Sequence, residues 1–162
     1  MALTKVQDGG LNLTDAGMPA GSVLQVVQQV FPTYVQFTST SYADTGITKA
    51  ITPSSTSSKI LAMISVGSTG VSEANGIELS FQLVRASTVI ETYERAMWFY
   101  DGGGVTAHID QTISMQFLDS PSTASAVTYK VQARTASGTL RINDHQSSGN
   151  ASSTLTLMEI AG

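Results

Sequence analysis

Cysteine is absent from the 162 residues, which excludes disulfide staples and thiolate metal centres. Charge is scarce as well: Asp, Glu, Lys and Arg supply 12% of the chain, about half of the ~25% usual in globular domains. The net charge is −4 with no basic cluster, so nothing would neutralise a phosphate backbone, and nucleic acid is excluded as a partner. No apolar run approaches the ~20 residues of a membrane-spanning helix, so no membrane insertion is expected. The opening MALTKVQDGGLNLTD has no apolar stretch behind Lys5 and is not expected to act as a secretory signal, which points to synthesis in the cytosol. Helical periodicity is missing over any ten residues. Only 91–100 could form a short helix, and its aromatic end suits a strand equally well.

What the chain has in abundance is Ser and Thr, about a quarter of all residues. Such a surface suits a β-protein covered in hydroxyls and amides. It also suits a chain covered largely by copies of itself, where charges would be costly to desolvate; that is the preferred reading. Ten short extended segments follow one another from Ser22 to Ile160. Several alternate strictly: Ile77, Leu79, Phe81 and Leu83 against Glu78, Ser80 and Gln82, or Val127, Tyr129, Val131 and Ala133 against Thr128, Lys130, Gln132 and Arg134. Many short strands with polar turns predict an antiparallel β-sandwich, jelly-roll-like in its connections. One domain of this length buries ~68–70% of its unfolded surface and needs no staple.

Residues 45–61, TGITKAITPSSTSSKIL, place Ile47, Lys49 and Ile51 on one side of a strand that Pro53 stops. Ser54 to Ser58 can bond their own backbone in a turn, and a second strand starts at Lys59. Local pattern predicts a hairpin here. Together with GMPAGSVLQVVQ at 17–28 and FQLVRASTVIE at 81–91, this segment resembles bacteriophage virion proteins; the three stretches cover about a quarter of the chain. The resemblance implies a jelly roll similar to the heads of C1q and tumour necrosis factor and a place in the virion after assembly in the host cytoplasm; homotrimeric assembly is the economical answer to strands apolar on both faces in a chain so poor in charge. The resemblance implies a tail fibre or its receptor-facing head, with a capsid decoration protein as the alternative; a stand-alone carbohydrate-binding module is a further alternative from another class. Residues 1–21, with Gly9, Gly10, Gly17, Pro19 and Gly21, read as an extended arm that attaches to other virion proteins. Residues 22–162 read as the head.

Two segments are apolar on both faces. Lys59–Val66 sets Ile60, Ala62, Ile64 and Val66 against Leu61 and Met63, and the last strand carries Leu155, Leu157, Met158 and Ile160. A sandwich covers only one face of each sheet, so Leu61, Met63, Leu155 and Leu157 are the expected trimer interface. Met63, Met97 and Met115 also suit gap-filling core positions.

Catalytic patterns are thin, and no enzyme is expected. Gly70 to Ala74 is one residue from a nucleophile elbow, but a strand follows where that motif needs a helix. Glu91 and Glu94 have nothing to place them across a substrate. His108 and Asp110 share a strand face, two ligands where a transition-metal site wants three or four, so neither metal nor cofactor is expected and they stay weak candidates. Trp98, Tyr100 and Asp101 precede Gly102-Gly103-Gly104. Aromatic faces beside a carboxylate suit a host-surface glycan, although Trp98 and Tyr100 suit a core as well.

Overall fold

A computed structural model describes residues 18–72, 77–99, 109–144 and 151–162. These form ten strands: β1 (Val23–Phe31), β2 (Val35–Phe37), β3 (Ala43–Ile51), β4 (Lys59–Ser72), β5 (Ile77–Arg85), β6 (Thr88–Phe99), β7 (Ile109–Asp119), β8 (Val127–Thr135), β9 (Thr139–Ile142) and β10 (Ser153–Ile160). No helix occurs among the described residues. The stretch that could have coiled instead belongs to β6, where Arg95 at φ +51° makes a bulge rather than a helical turn.

One sheet runs β7-β4-β10-β1, with β9 and β2 continuing alongside the far half of β4. The other runs β3-β8-β5-β6. All pairings are antiparallel. Leaving aside the short β2 and β9, one sheet takes the first, eighth, third and sixth strands, and the other the second, seventh, fourth and fifth. That interleaving of two Greek keys is a jelly roll.

The expected hairpin at 45–61 is a correction. β3 pairs with β8 in the four-stranded sheet, while β4 pairs with β10 and β7 in the six-stranded one. The serine-rich turn therefore crosses from sheet to sheet. Ile47 and Ile51 enter the core from one side, and Ile60, Ala62, Ile64 and Val66 enter it from the other. Alternation is the same for a hairpin and for such a corner, so local pattern could not separate them. The corner is held by β10: the Ser54 amide and hydroxyl both donate to the buried Glu159 carboxylate, at 2.7 and 2.6 Å.

Between the sheets lie Ile47, Ile60, Val66, Leu79, Phe81, Leu83, Tyr129, Leu140, Ile142, Leu155 and Leu157, all fully covered. Each such side chain contributes about 1.5–3 kcal/mol over an exposed position. Two buried polar clusters pin the ends. Asp119 accepts both 2.8 Å bonds from Arg85 and a 2.6 Å bond from the Tyr129 hydroxyl. Asn143 donates to the carbonyls of Phe31 and Thr33 and accepts from the Ser153 hydroxyl. Gly67 donates to that hydroxyl, and a Cβ on Gly67 would collide with the Ser152 carbonyl. At the N-terminal end of the described chain, Gly21 donates to Ala161 and Ala161 donates back to Ser22.

Candidate functional site

The two outer faces of the sandwich differ in kind. On the six-stranded sheet, pairing aligns Leu118, Leu61, Met158 and Val26 in one row across β7, β4, β10 and β1. The next row is Gln116, Met63, Thr156 and Gln28, and the third is Ser114, Ser65, Thr154 and Val30. None of these twelve side chains ionises. Val26 is 53% exposed, Val30 57%, Leu118 50% and Met63 40%. Small hydroxyl residues at the centre leave a hollow of about 430 Å³ walled by Met63, Ser65, Ser114, Gln116, Thr154 and Thr156.

Side chains on the inner face of β1 close the neighbouring edge. The Gln29 carboxamide accepts from the Thr48 amide at 2.6 Å and donates to the Gly46 carbonyl at 3.4 Å. It thus stands in for a peptide group along the free side of β3. Gln25 acts only as a donor, from Nε2 to the Thr52 carbonyl just past β3 and to Glu159, at 2.7 and 2.5 Å. A sheet edge satisfied by side chains is a poor template for another chain.

The outer face of the four-stranded sheet is ionic. Asp44 accepts from Gln132 and Lys130, and the Gln132 carbonyl oxygen accepts from Gln82. Those bonds hold the Asp44 carboxyl below its ordinary range. Glu94 accepts from Arg134 at 2.6 Å, Ser80 at 2.8 Å and Tyr42 at 3.0 Å. Its carboxyl is likewise held low, chiefly by Arg134 and then by Ser80. The Arg134 guanidinium lies 5.3 Å from the centre of the Tyr42 ring, and burial raises that phenol above its usual value. Glu78 bonds Arg95 at 3.0 Å and stands 3.7 Å from Arg134.

Against this geometry the expected sites divide. Leu61 and Met63 point outward, as the interface reading requires. Leu155 and Leu157 do not: they pair with Ile64 and Ala62 and are fully buried between the sheets. The pleat puts odd-numbered residues of β10 inside, so its outward side chains are Thr154, Thr156, Met158 and Ile160. Met97 and Met115 fill the core as expected, and Met63 does not. Trp98 is no core residue either; it faces out beside Glu78 and is 60% exposed. Tyr100, Asp101 and His108 lie outside the described residues, as does the side chain of Asp110. No group of three or more His, Cys, Asp or Glu side chains able to hold a metal occurs among the described residues. Val26, Leu118, Glu78, Arg95 and Arg134 went unremarked as site residues in the sequence. Alternation in β1 and β7 marks the first two, but the ionic cluster is assembled only by cross-strand register.

No family model matches the chain, and no curated protein matches it. Among solved structures, it is similar to the infectious bursal disease virus VP2 subviral particle, with 14% identity over 85% of this chain and 33% of that one and a TM-score of 0.43. The Gx strain structure of the same virus shows 13% identity over 85% and 32%, with a TM-score of 0.46. Dimeric latent PorU from Porphyromonas gingivalis shows 9% identity over 91% and 14%, with a TM-score of 0.38. The chain spans about a third or less of the length of these proteins. Likenesses this slight say nothing of what the chain does.

Proposed function

We propose that this chain is a non-enzymatic virion structural protein, the receptor-facing head of a short phage tail fibre, working as a homotrimer. Subunits meet on the outer face of the six-stranded sheet. The observation that carries this reading is the contrast between faces: twelve non-ionising side chains in three rows on one sheet, and a dense ionic network on the other. Desolvating these three rows strands no charge, Lys59 lying one row beyond them and Arg141 away on β9, whereas desolvating the second face would cost several charged groups their water. The exposed Val26, Val30, Met63 and Leu118 supply the apolar area that association needs. The virion setting rests on the likeness of 17–28, 45–61 and 81–91 to phage virion proteins, and the three-fold number on the scarcity of charge and the outward apolar side chains of β4 and β10. In this reading residues 1–21 carry the attachment to other virion proteins.

Two measurements test it. Light scattering on the purified chain should return three times 17.0 kDa, and a monodisperse monomer or dimer at micromolar concentration refutes the trimer. An antibody raised against the chain should label intact phage particles at the tail; labelling over the capsid shell would move the protein to a decoration role.

A further inference from the structure

We propose that the outer face of the four-stranded sheet holds a binding site for a neutral hexose, built from Trp98, Glu78 and Arg95. The site lies on the opposite sheet from the proposed assembly face and goes beyond that reading.

Trp98 is the one tryptophan of the chain. A sandwich with few aromatics would gain most by burying it, yet it stands on β6 with 60% of its surface exposed. The face of an indole is apolar and electron-rich, and the C–H face of a pyranose, faintly positive, stacks against such a surface.

Polar groups that could grip hydroxyls stand next to it. Glu78 lies directly across from Trp98 on β5. One of its carboxylate oxygens receives the Arg95 Nε–H at 3.0 Å; the other is 3.7 Å from Arg134, too far for a full hydrogen bond. That oxygen keeps accepting capacity for a ligand hydroxyl. Arg95 is tied down through Nε, and its side chain is 72% exposed, so its terminal amines can donate to ring or hydroxyl oxygens. Donor and acceptor thus sit side by side at the edge of a stacking platform, the pairing a sugar vicinal diol requires.

The backbone supports the arrangement. Arg95 has a left-handed φ of +51°, uncommon for a side chain of its size, at a bulge where the β5–β6 register shifts. The Arg95 amide donates to the Ser80 hydroxyl, which in turn donates to Glu94. Glu94 is fixed by Arg134 and Tyr42. These groups are in place before a ligand arrives, which lowers the ordering cost of binding.

Charge selects the ligand class. Glu78 and Glu94 balance Arg95 and Arg134, so the cluster carries no net charge. A balanced cluster offers neither an anionic nor a cationic sugar a net attraction to offset the water its charge would lose. An uncharged hexose meets hydrogen-bonding groups of both kinds.

The test is an array of glucose-, galactose- and mannose-based oligosaccharides, neutral and sialylated, probed with the full chain. At least one neutral hexose oligosaccharide should be retained and should shield the single tryptophan from iodide quenching. Trp98→Ala and Glu78→Gln should each weaken that binding by about tenfold or more, for Glu78 because a hydrogen bond to a charged group corresponds to at least that ratio. Trp98 is exposed, so the melting temperature should stay nearly unchanged; if Trp98→Ala fails to fold, Glu78→Gln decides alone. No retained neutral oligosaccharide, retention of sialylated ones only, or binding undiminished in both variants overturns the site. Light scattering on the same samples separates the two readings: a monomer that binds sugar refutes the assembly alone, and a trimer that binds none refutes this site alone.

Discussion

Glu159 shows how much one buried carboxylate organises. It is fully covered at the closed end of the sandwich, and burial alone would push its proton affinity up. Hydrogen bonds from Gln25 and Ser54 outweigh that and hold its carboxyl below the ordinary 4.5. The folded state therefore binds its proton less readily than the unfolded chain does. Its stabilising contribution is fully present above the unfolded value and is lost as pH falls through the lower folded value. Melting temperature should accordingly decline as pH falls below about 5, with the serine corner losing its anchor. Glu159→Gln should melt lower above that pH, because its amide nitrogen would have to face part of the set of three donors (Gln25 Nε2–H, Ser54 N–H and Ser54 O–H) that converges on the carboxylate, costing about 1.5–3 kcal/mol. It should also show a shallower decline on acidification. Calorimetry across the pH range is the check, and parallel curves for the two proteins would exclude Glu159 as the group responsible.

At the scale of elements, all ten expected segments are strands, because alternation such as Leu79, Phe81, Leu83 against Ser80 and Gln82 reports a pleated, half-buried surface directly. Partnership was not legible. Thr45–Thr52 and Lys59–Val66 read as a hairpin although they lie in different sheets, since their separating turn looks the same either way. Inward and outward faces of β4 could be told apart, but the doubly apolar β10 offered two candidate faces, and only its pairing with Ala62 and Ile64 shows that Leu155 and Leu157 point in. The glutamine latch on β3 was invisible for a related reason: Gln25 and Gln29 look like surface residues until β1 is set beside β3. Gln29→Ala should leave the Thr48 amide and Gly46 carbonyl without their partner. Exchange of the Thr48 amide with solvent should then quicken by roughly tenfold, matching the loss of one hydrogen bond of about 0.5–1.5 kcal/mol. Amide exchange followed by NMR gives the answer, and an unchanged Thr48 rate would mean the side chain contributes nothing to closing that edge.

For the molecule as a whole, the difference between its two outer faces yields opposite responses to the same kind of substitution. Met63 stands at the wall of the hollow among the three uncharged rows, with Gln116 and Thr156 beside it. In an assembled head Met63→Asp would place a carboxylate in a desolvated contact without a partner, a penalty of several kcal/mol. The isolated subunit keeps that position in water and loses no core packing. Met63→Asp should therefore yield folded subunits, with the far-ultraviolet spectrum intact and the mass in light scattering reduced to 17.0 kDa. Thr92 lies across from Gln82 on the ionic face, where a further charge stays hydrated, and Thr92→Asp should leave the assembly as it was. Leu157→Asp marks the third case. Leu157 is fully buried between the sheets, so its replacement should abolish folding itself rather than dissociate the subunits. The three variants form one experiment with three distinct outcomes. If Met63→Asp keeps the parent mass while Thr92→Asp dissociates, assembly runs through the ionic face and the proposed orientation of the head is reversed.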